Sequence, residues 1–78
     1  MGKREMRLVV SFHTTTEAMA MKRAAGKSDL RGRLIPIPRQ LSAGCGLAWS
    51  EPIANEPELM AAIERFELEY EHISPLEL

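Results

Sequence analysis

One cysteine, two histidines and no long apolar run leave this 78-residue chain few routes to chemistry. A lone thiol closes no internal disulfide, and Cys45 with the scattered His13 and His72 cannot supply the ligands of a structural zinc site. No stretch nears the roughly 18 apolar residues of a membrane span, and residues 1–10 lack the apolar run of a secretory signal. The cytoplasm follows by default. Charge of one sign is also missing: ten basic side chains against eleven acidic give a net charge of -1, which recommends no nucleic-acid partner. Lys3, Arg4 and Arg7 form a small basic start that reads as a frayed, solvated end over residues 1–5. A chain this short buries only about 60% of the surface its unfolded form exposes, so a large enclosed active site is excluded and chemistry must sit near the surface. At 45% hydrophobic and 27% charged residues the composition is that of one ordinary globular domain over 1–78, with no metal and no resident cofactor expected.

What is present reads as six elements. Met6 to Phe12 is apolar and β-branched, the pattern of a central strand. Thr14-Thr15-Thr16-Glu17 sets a threonine three residues before a glutamate, the capping box of a helix running from Thr15 to Ala25, with Ala18, Met21 and Ala25 inward and Gly26 as its stop. Arg33 to Ile37 reads as a second strand, which Pro36 and Pro38 place at an edge of the sheet or end near Pro36. Gly46 to Ser50 gives a short third strand, with Trp49 packing on a sheet face. Asn55 with Glu58 caps a second helix from Glu56 to Tyr70, along which Leu59, Ile63, Phe66 and Tyr70 recur at helical spacing. Glu64, Glu67, Glu69 and Glu71 then fall on its solvated face. A last edge strand between Glu71 and Leu78 contains Ile73 and Leu76.

The order predicts an α+β, ferredoxin-like β-α-β-β-α-β fold, a four-stranded antiparallel sheet with two helices on one face. That topology carries the end of the first strand, the start of the first helix and the loop before the third strand to one edge of the sheet. Thirty residues of separation collapse there, and Phe12-His13-Thr14-Thr15 comes to face Arg39 and Cys45. The cysteine stands between Gly44 and Gly46, a setting that bares sulfur and backbone N–H groups, whereas structural cysteines sit among apolar neighbours. Arg39 would supply a permanent positive charge, the Gly44, Cys45 and Gly46 amides an anion-binding concavity, and the helix start its dipole. All three favour a thiolate.

The residues Phe12-His13-Thr14-Thr15, Leu34-Ile35-Pro36-Ile37-Pro38-Arg39 and Ser42-Ala43-Gly44-Cys45-Gly46-Leu47-Ala48 resemble those of the small bacterial selenium/sulfur carrier-like proteins. The likeness spans roughly Leu8 to Tyr70 and is most specific from Pro38 to Ala48. It implies that Cys45 accepts sulfur or selenium from a donor such as a cysteine desulfurase, holds it as a persulfide or selenosulfide, and passes it to an acceptor protein. The covalent adduct would be the one cargo. In that reading Arg39 stabilises the thiolate, His13 exchanges protons, and Thr14, Thr15, Ser42, Gly44 and Gly46 line the site.

Simpler roles compete with each of these. Glycines mark turns whether or not anything binds, Thr14 and Thr15 are capping residues first, Ser42 can merely close the turn, and His13 beside a cap is commonly a structural hydrogen-bond partner. Two other function classes fit the same chain. One is a non-catalytic ferredoxin-like regulatory or adaptor domain, which could pair with a second copy through the helix-free face of its sheet. The other is a thiol redox sensor. A self-sufficient enzyme lacks a visible nucleophile, base and orienter set.

Overall fold

The computed structural model describes residues 4–41 and 45–78. Six principal elements follow the expected order: β1 (Met6–Ser11), α1 (Thr15–Ala25), β2 (Arg33–Pro36), β3 (Leu47–Pro52), α2 (Glu56–Arg65) and β4 (His72–Glu77), with a single 3-10 turn, Ile53–Asn55, leading into α2. The strands lie in the order β2-β3-β1-β4 and every neighbouring pair is antiparallel, the ferredoxin-like arrangement. The proline-bearing strands β2 and β4 take the two edges, where a missing N–H breaks no ladder between strands.

Alternation along β1 decides which face is covered. Leu8, Val10 and Phe12 form a buried cluster with Ala18 and Met21 of α1, Leu59 of α2 and Trp49 of β3, so both helices pack on that face. One row of residues crosses the whole sheet beneath them, Leu34, Trp49, Val10 and Ile73 in register. On α1 the inward stripe is Ala18, Met21 and Ala24, with Ala25 at its margin.

Glu51 is a fully buried residue on the helix-covered side, in register with Leu8. Its carboxyl accepts four N–H groups: Trp49 Nε1 at 2.8 Å and the Gly32 amide at 3.0 Å on Oε1, and the Arg31 amide at 2.8 Å and Asn55 Nδ2 at 2.7 Å on Oε2. A buried carboxyl without such partners would cost several kcal/mol, roughly the whole margin of a small domain. The network ties the entry to β2, the end of β3 and the approach to α2 into one knot. Gly32 has no substitute there, because a Cβ would run into the Ser50 carbonyl oxygen and lie 2.6 Å from Glu51 Oε1.

Several boundaries differ from expectation for identifiable reasons. Strand β3 continues two residues past Ser50, since Glu51 is satisfied inside rather than in solvent. Asn55 does not cap α2 with its side chain; the carboxamide turns to Asp29 O at 3.1 Å and to Glu51, and Pro57 removes one N–H that a cap would bind. Helix α2 stops at Arg65, five residues before Tyr70. Glu67 adopts φ 51°, the Leu68 N–H reaches Ile63 O at 2.9 Å and the Glu67 N–H reaches Glu64 O at 3.3 Å, which is a Schellman stop with glutamate in the position glycine usually fills. Of the acidic run, Glu64 alone is therefore on the helix, and Glu71 is half-buried at the approach to β4. Residues 1–3 of the expected frayed start lie outside the described residues, and Glu5 is paired. Glu5 exchanges both backbone hydrogen bonds with Leu78, and the Arg7 guanidinium binds Ser50 and Glu5. Strand β2 ends at Pro36, and the Ile37 N–H instead donates to Gly46 O at 2.9 Å, pinching the loop between β2 and β3 at its base.

At the start of α1 the capping box forms with one displacement. Thr14 Oγ1 accepts the Glu17 N–H at 3.2 Å, while the Glu17 carboxylate reaches past Thr14 to the His13 N–H at 2.7 Å. That hydrogen bond, first among several contacts with His13 and Thr14, holds the Glu17 carboxyl below its ordinary value of 4.5, against a smaller opposing effect of burial. A depressed folded-state value stabilises the fold above the ordinary pKa, and the stabilisation is lost as pH falls through the folded value.

Two outcomes are expected. Gly32→Ala should destabilise the fold by ~2 kcal/mol through overpacking, read as a lower urea midpoint; a midpoint equal to that of the parent would show that the backbone at Gly32 yields freely. Glu17→Gln should flatten the fall in stability as pH drops below 4.5, read from urea midpoints through the acid range. An unchanged pH profile would remove Glu17 from the acid response.

Candidate functional site

Strand register sets the neighbourhood of Cys45. Ser11, the last residue of β1, pairs with Ala48 on one side and with His72 on the other, and Pro36 at the end of β2 pairs with Leu47. The end of β1, the start of α1, the β2–β3 loop and the start of β4 therefore share one edge of the sheet. Cys45 is two residues before β3, and His13, Thr14 and Thr15 lead from β1 into α1. The convergence expected from topology is present at the level of the backbone.

Cys45 is a free, half-buried cysteine whose side chain packs against the rim of the core. Its Sγ lies 3.3 Å from the Leu47 N and 3.3 Å from the Leu47 O. These contacts act in opposite directions. The Leu47 N–H donates to the sulfur, whereas the Leu47 carbonyl accepts from the S–H of the thiol. Gly46 makes the turn that brings them together: its φ is +73°, in the left-handed region glycine enters without steric cost. A Cβ on Gly46 would meet nothing within 4 Å, so the requirement is for backbone conformation rather than for space.

The other expected residues are distributed around this sulfur with differing engagement. Arg39 is exposed in the turn that follows β2, on the same pinched loop as Cys45. Among the described residues no ion pair or hydrogen bond joins it to the sulfur. His13 is exposed, and its Nδ1 lies 3.2 Å from Glu17 Oε1 rather than against Cys45. Thr14 uses its hydroxyl to cap α1, and Thr15 is exposed as the first helical residue. Ser42 and Gly44 fall outside the described residues, and so does the contribution of the Gly44 amide to an anion-binding concavity.

Two participants were not singled out from the sequence. Leu47 contributes through its backbone N–H, which no side-chain signature announces. Glu17 places a carboxylate over the N-terminus of α1, where a thiolate was expected to find the helix dipole, and so offsets part of that positive end. Its signal was available, since Thr14 and Glu17 spell the capping box. Among the described residues no group of three or more His, Cys, Asp or Glu side chains could hold a metal ion, and no helix is long and apolar enough to cross a membrane.

Comparison with known proteins agrees with the motifs around this edge. A family model described as "Putative Se/S carrier protein-like" matches residues 7–75, which takes in β2, β3, both helices, the Cys45 loop and most of β1 and β4. Neither the curated proteins nor the solved structures gave a match. With the match covering nearly the whole fold, the chain belongs to the Se/S carrier protein-like family.

Proposed function

We propose that the protein carries a sulfur or selenium atom on Cys45 between a donor enzyme and an acceptor protein in the cytoplasm. The observation that carries this reading is the half-buried Cys45, its sulfur 3.3 Å from the Leu47 nitrogen, on a loop at the edge where α1 begins, in a chain of the Se/S carrier-like family. The Cys45 thiolate attacks the outer sulfur of a donor persulfide. A new S–S bond forms at Cys45, the donor's S–S bond breaks, and its electron pair leaves on the donor cysteine as thiolate. Delivery repeats the exchange with an acceptor thiolate. No net oxidation occurs, so no redox cofactor is required, and a cysteine desulfurase is the natural source of the donor persulfide.

The local groups divide the work. The Leu47 N–H offers a hydrogen bond to charge on sulfur, and its carbonyl counters that help in the thiol form. Arg39, a permanent charge on the same loop, tips the balance toward the anion. His13, with Nδ1 held by Glu17, retains Nε2 for proton exchange with the departing thiolate. Thr14 and Thr15 hold the helix start that borders the site. Gly46 sets the turn.

Incubation with a cysteine desulfurase and cysteine should add the mass of one or more sulfur atoms to the intact protein, and Cys45→Ser should gain none. No adduct on the parent, or the same adduct on the variant, would overturn the reading. An adaptor domain would leave both masses unchanged, and a redox sensor would give oxygen adducts or a Cys45 dimer on peroxide treatment instead. Arg39→Gln should slow alkylation of Cys45 at neutral pH by about threefold, the scale of a solvent-screened ion pair. A rate equal to that of the parent would remove Arg39 from the site.

A further inference from the structure

The face of the sheet that no helix covers presents arginine. Arg33 on β2 is in register with Ser50 on β3, Ser50 with Val9 on β1, and Arg7 sits two residues from Val9 on the same face. Arg7 is held in place, with Nε donating to Ser50 Oγ at 2.8 Å, Nη2 to Ser50 O at 3.2 Å and Nη1 to Glu5 Oε1 at 2.7 Å. Arg31 is held by its backbone, through its N–H to Glu51 Oε2, next to the sterically locked Gly32. Arg33 belongs to the β2–β3 ladder itself. These three residues, with Glu5, Ile35, Ser50 and Leu78, line a hollow of about 550 Å³.

Charge in this hollow is unbalanced. Among the side chains that line it, three arginines stand against one glutamate, in a chain whose net charge is -1. Among the described residues Arg31 and Arg33 form no salt bridge. Like charges gathered around one hollow repel, and the β2-β3-β1 ladder holds the backbones of Arg7 and Arg33 in place. A bound anion removes that cost and meets planar donors, which is how guanidinium groups recognise phosphate and carboxylate. The volume is that of a small-molecule site, and Ile35 offers an apolar wall to the uncharged part of a ligand.

We propose that the hollow between β1, β2 and β3 binds a small ligand bearing an oxyanion, phosphate or carboxylate, held by Arg7, Arg31 and Arg33. The site is distinct from the Cys45 edge, because Arg7 and Ser11 stand at opposite ends of β1, about 13 Å apart along the strand. Glu5, bound to Arg7, occupies one side of the hollow and competes with the ligand.

The test is a two-dimensional NMR titration of the whole chain with pyrophosphate and, in a second arm, with citrate, each against chloride at matched ionic strength. Saturable shifts at Arg31, Arg33 and Ser50 that chloride does not reproduce are expected. The combined Arg31→Gln and Arg33→Gln variant, altered at exposed positions, should keep its folded spectrum and bind at least about tenfold more weakly. Glu5→Gln should bind more tightly. Tighter binding of pyrophosphate assigns the oxyanion to a phosphate, tighter binding of citrate to a carboxylate, and either supports the site. Unsaturating shifts equal to those of chloride, unchanged affinity in the folded double variant, or saturation by an acidic peptide while neither small anion binds would overturn it.

Discussion

Four N–H donors converging on the buried carboxyl of Glu51 are the constraint on which the arrangement depends most. A small domain has little apolar surface to spare, and a fully buried carboxyl would unfold it without compensation. Here the group links three parts of the chain that are far apart in sequence: the Arg31-Gly32 entry to β2, the Trp49 side chain in the core, and Asn55 before α2. The end of β3 is thereby anchored. Its other end begins two residues after Cys45, so the strand that presents the thiol is rooted in the most tightly determined part of the structure. The same anchor fixes the backbone from which Arg31 and Arg33 project.

At the Cys45 edge the physics is one of near balance. One backbone N–H supports negative charge on sulfur and the carbonyl of the same residue opposes it. Glu17 covers part of the positive helix end. Exchange of a sulfur atom between thiols needs a sulfur that a partner can reach, and Cys45 is half-buried rather than enclosed.

Most of the fold was legible because the apolar pattern and the turn residues agree. Met6 to Phe12 could be nothing but an inner strand, Thr14 and Glu17 announced α1 to the residue, and Pro36 and Pro75 sent their strands to the edges. Legibility failed where a backbone or long-range interaction overruled the local pattern. Helical spacing continues through Phe66 to Tyr70, yet the chain leaves the helix at Glu67 without a glycine to mark the turn. Asn55 looked like a cap but serves Glu51 instead, and nothing in the neighbourhood of Glu51 distinguishes a buried glutamate from a solvated one. At the site, the loop, Cys45 and Gly46 were readable from sequence. The Leu47 amide was not, because a main-chain donor carries no residue signature.

Transfer is the step that separates a carrier from any other reactive thiol. The most direct measurement loads the protein with isotopically labelled sulfur, separates it from the donor, mixes it with an acceptor thiol, and follows the label by peptide mass spectrometry. Label on the Cys45 peptide that moves to the acceptor, with Cys45 recovered as free thiol, is the expected result. Label found on another residue, or label on Cys45 that the acceptor cannot remove, would contradict the assignment of Cys45 as a carrier.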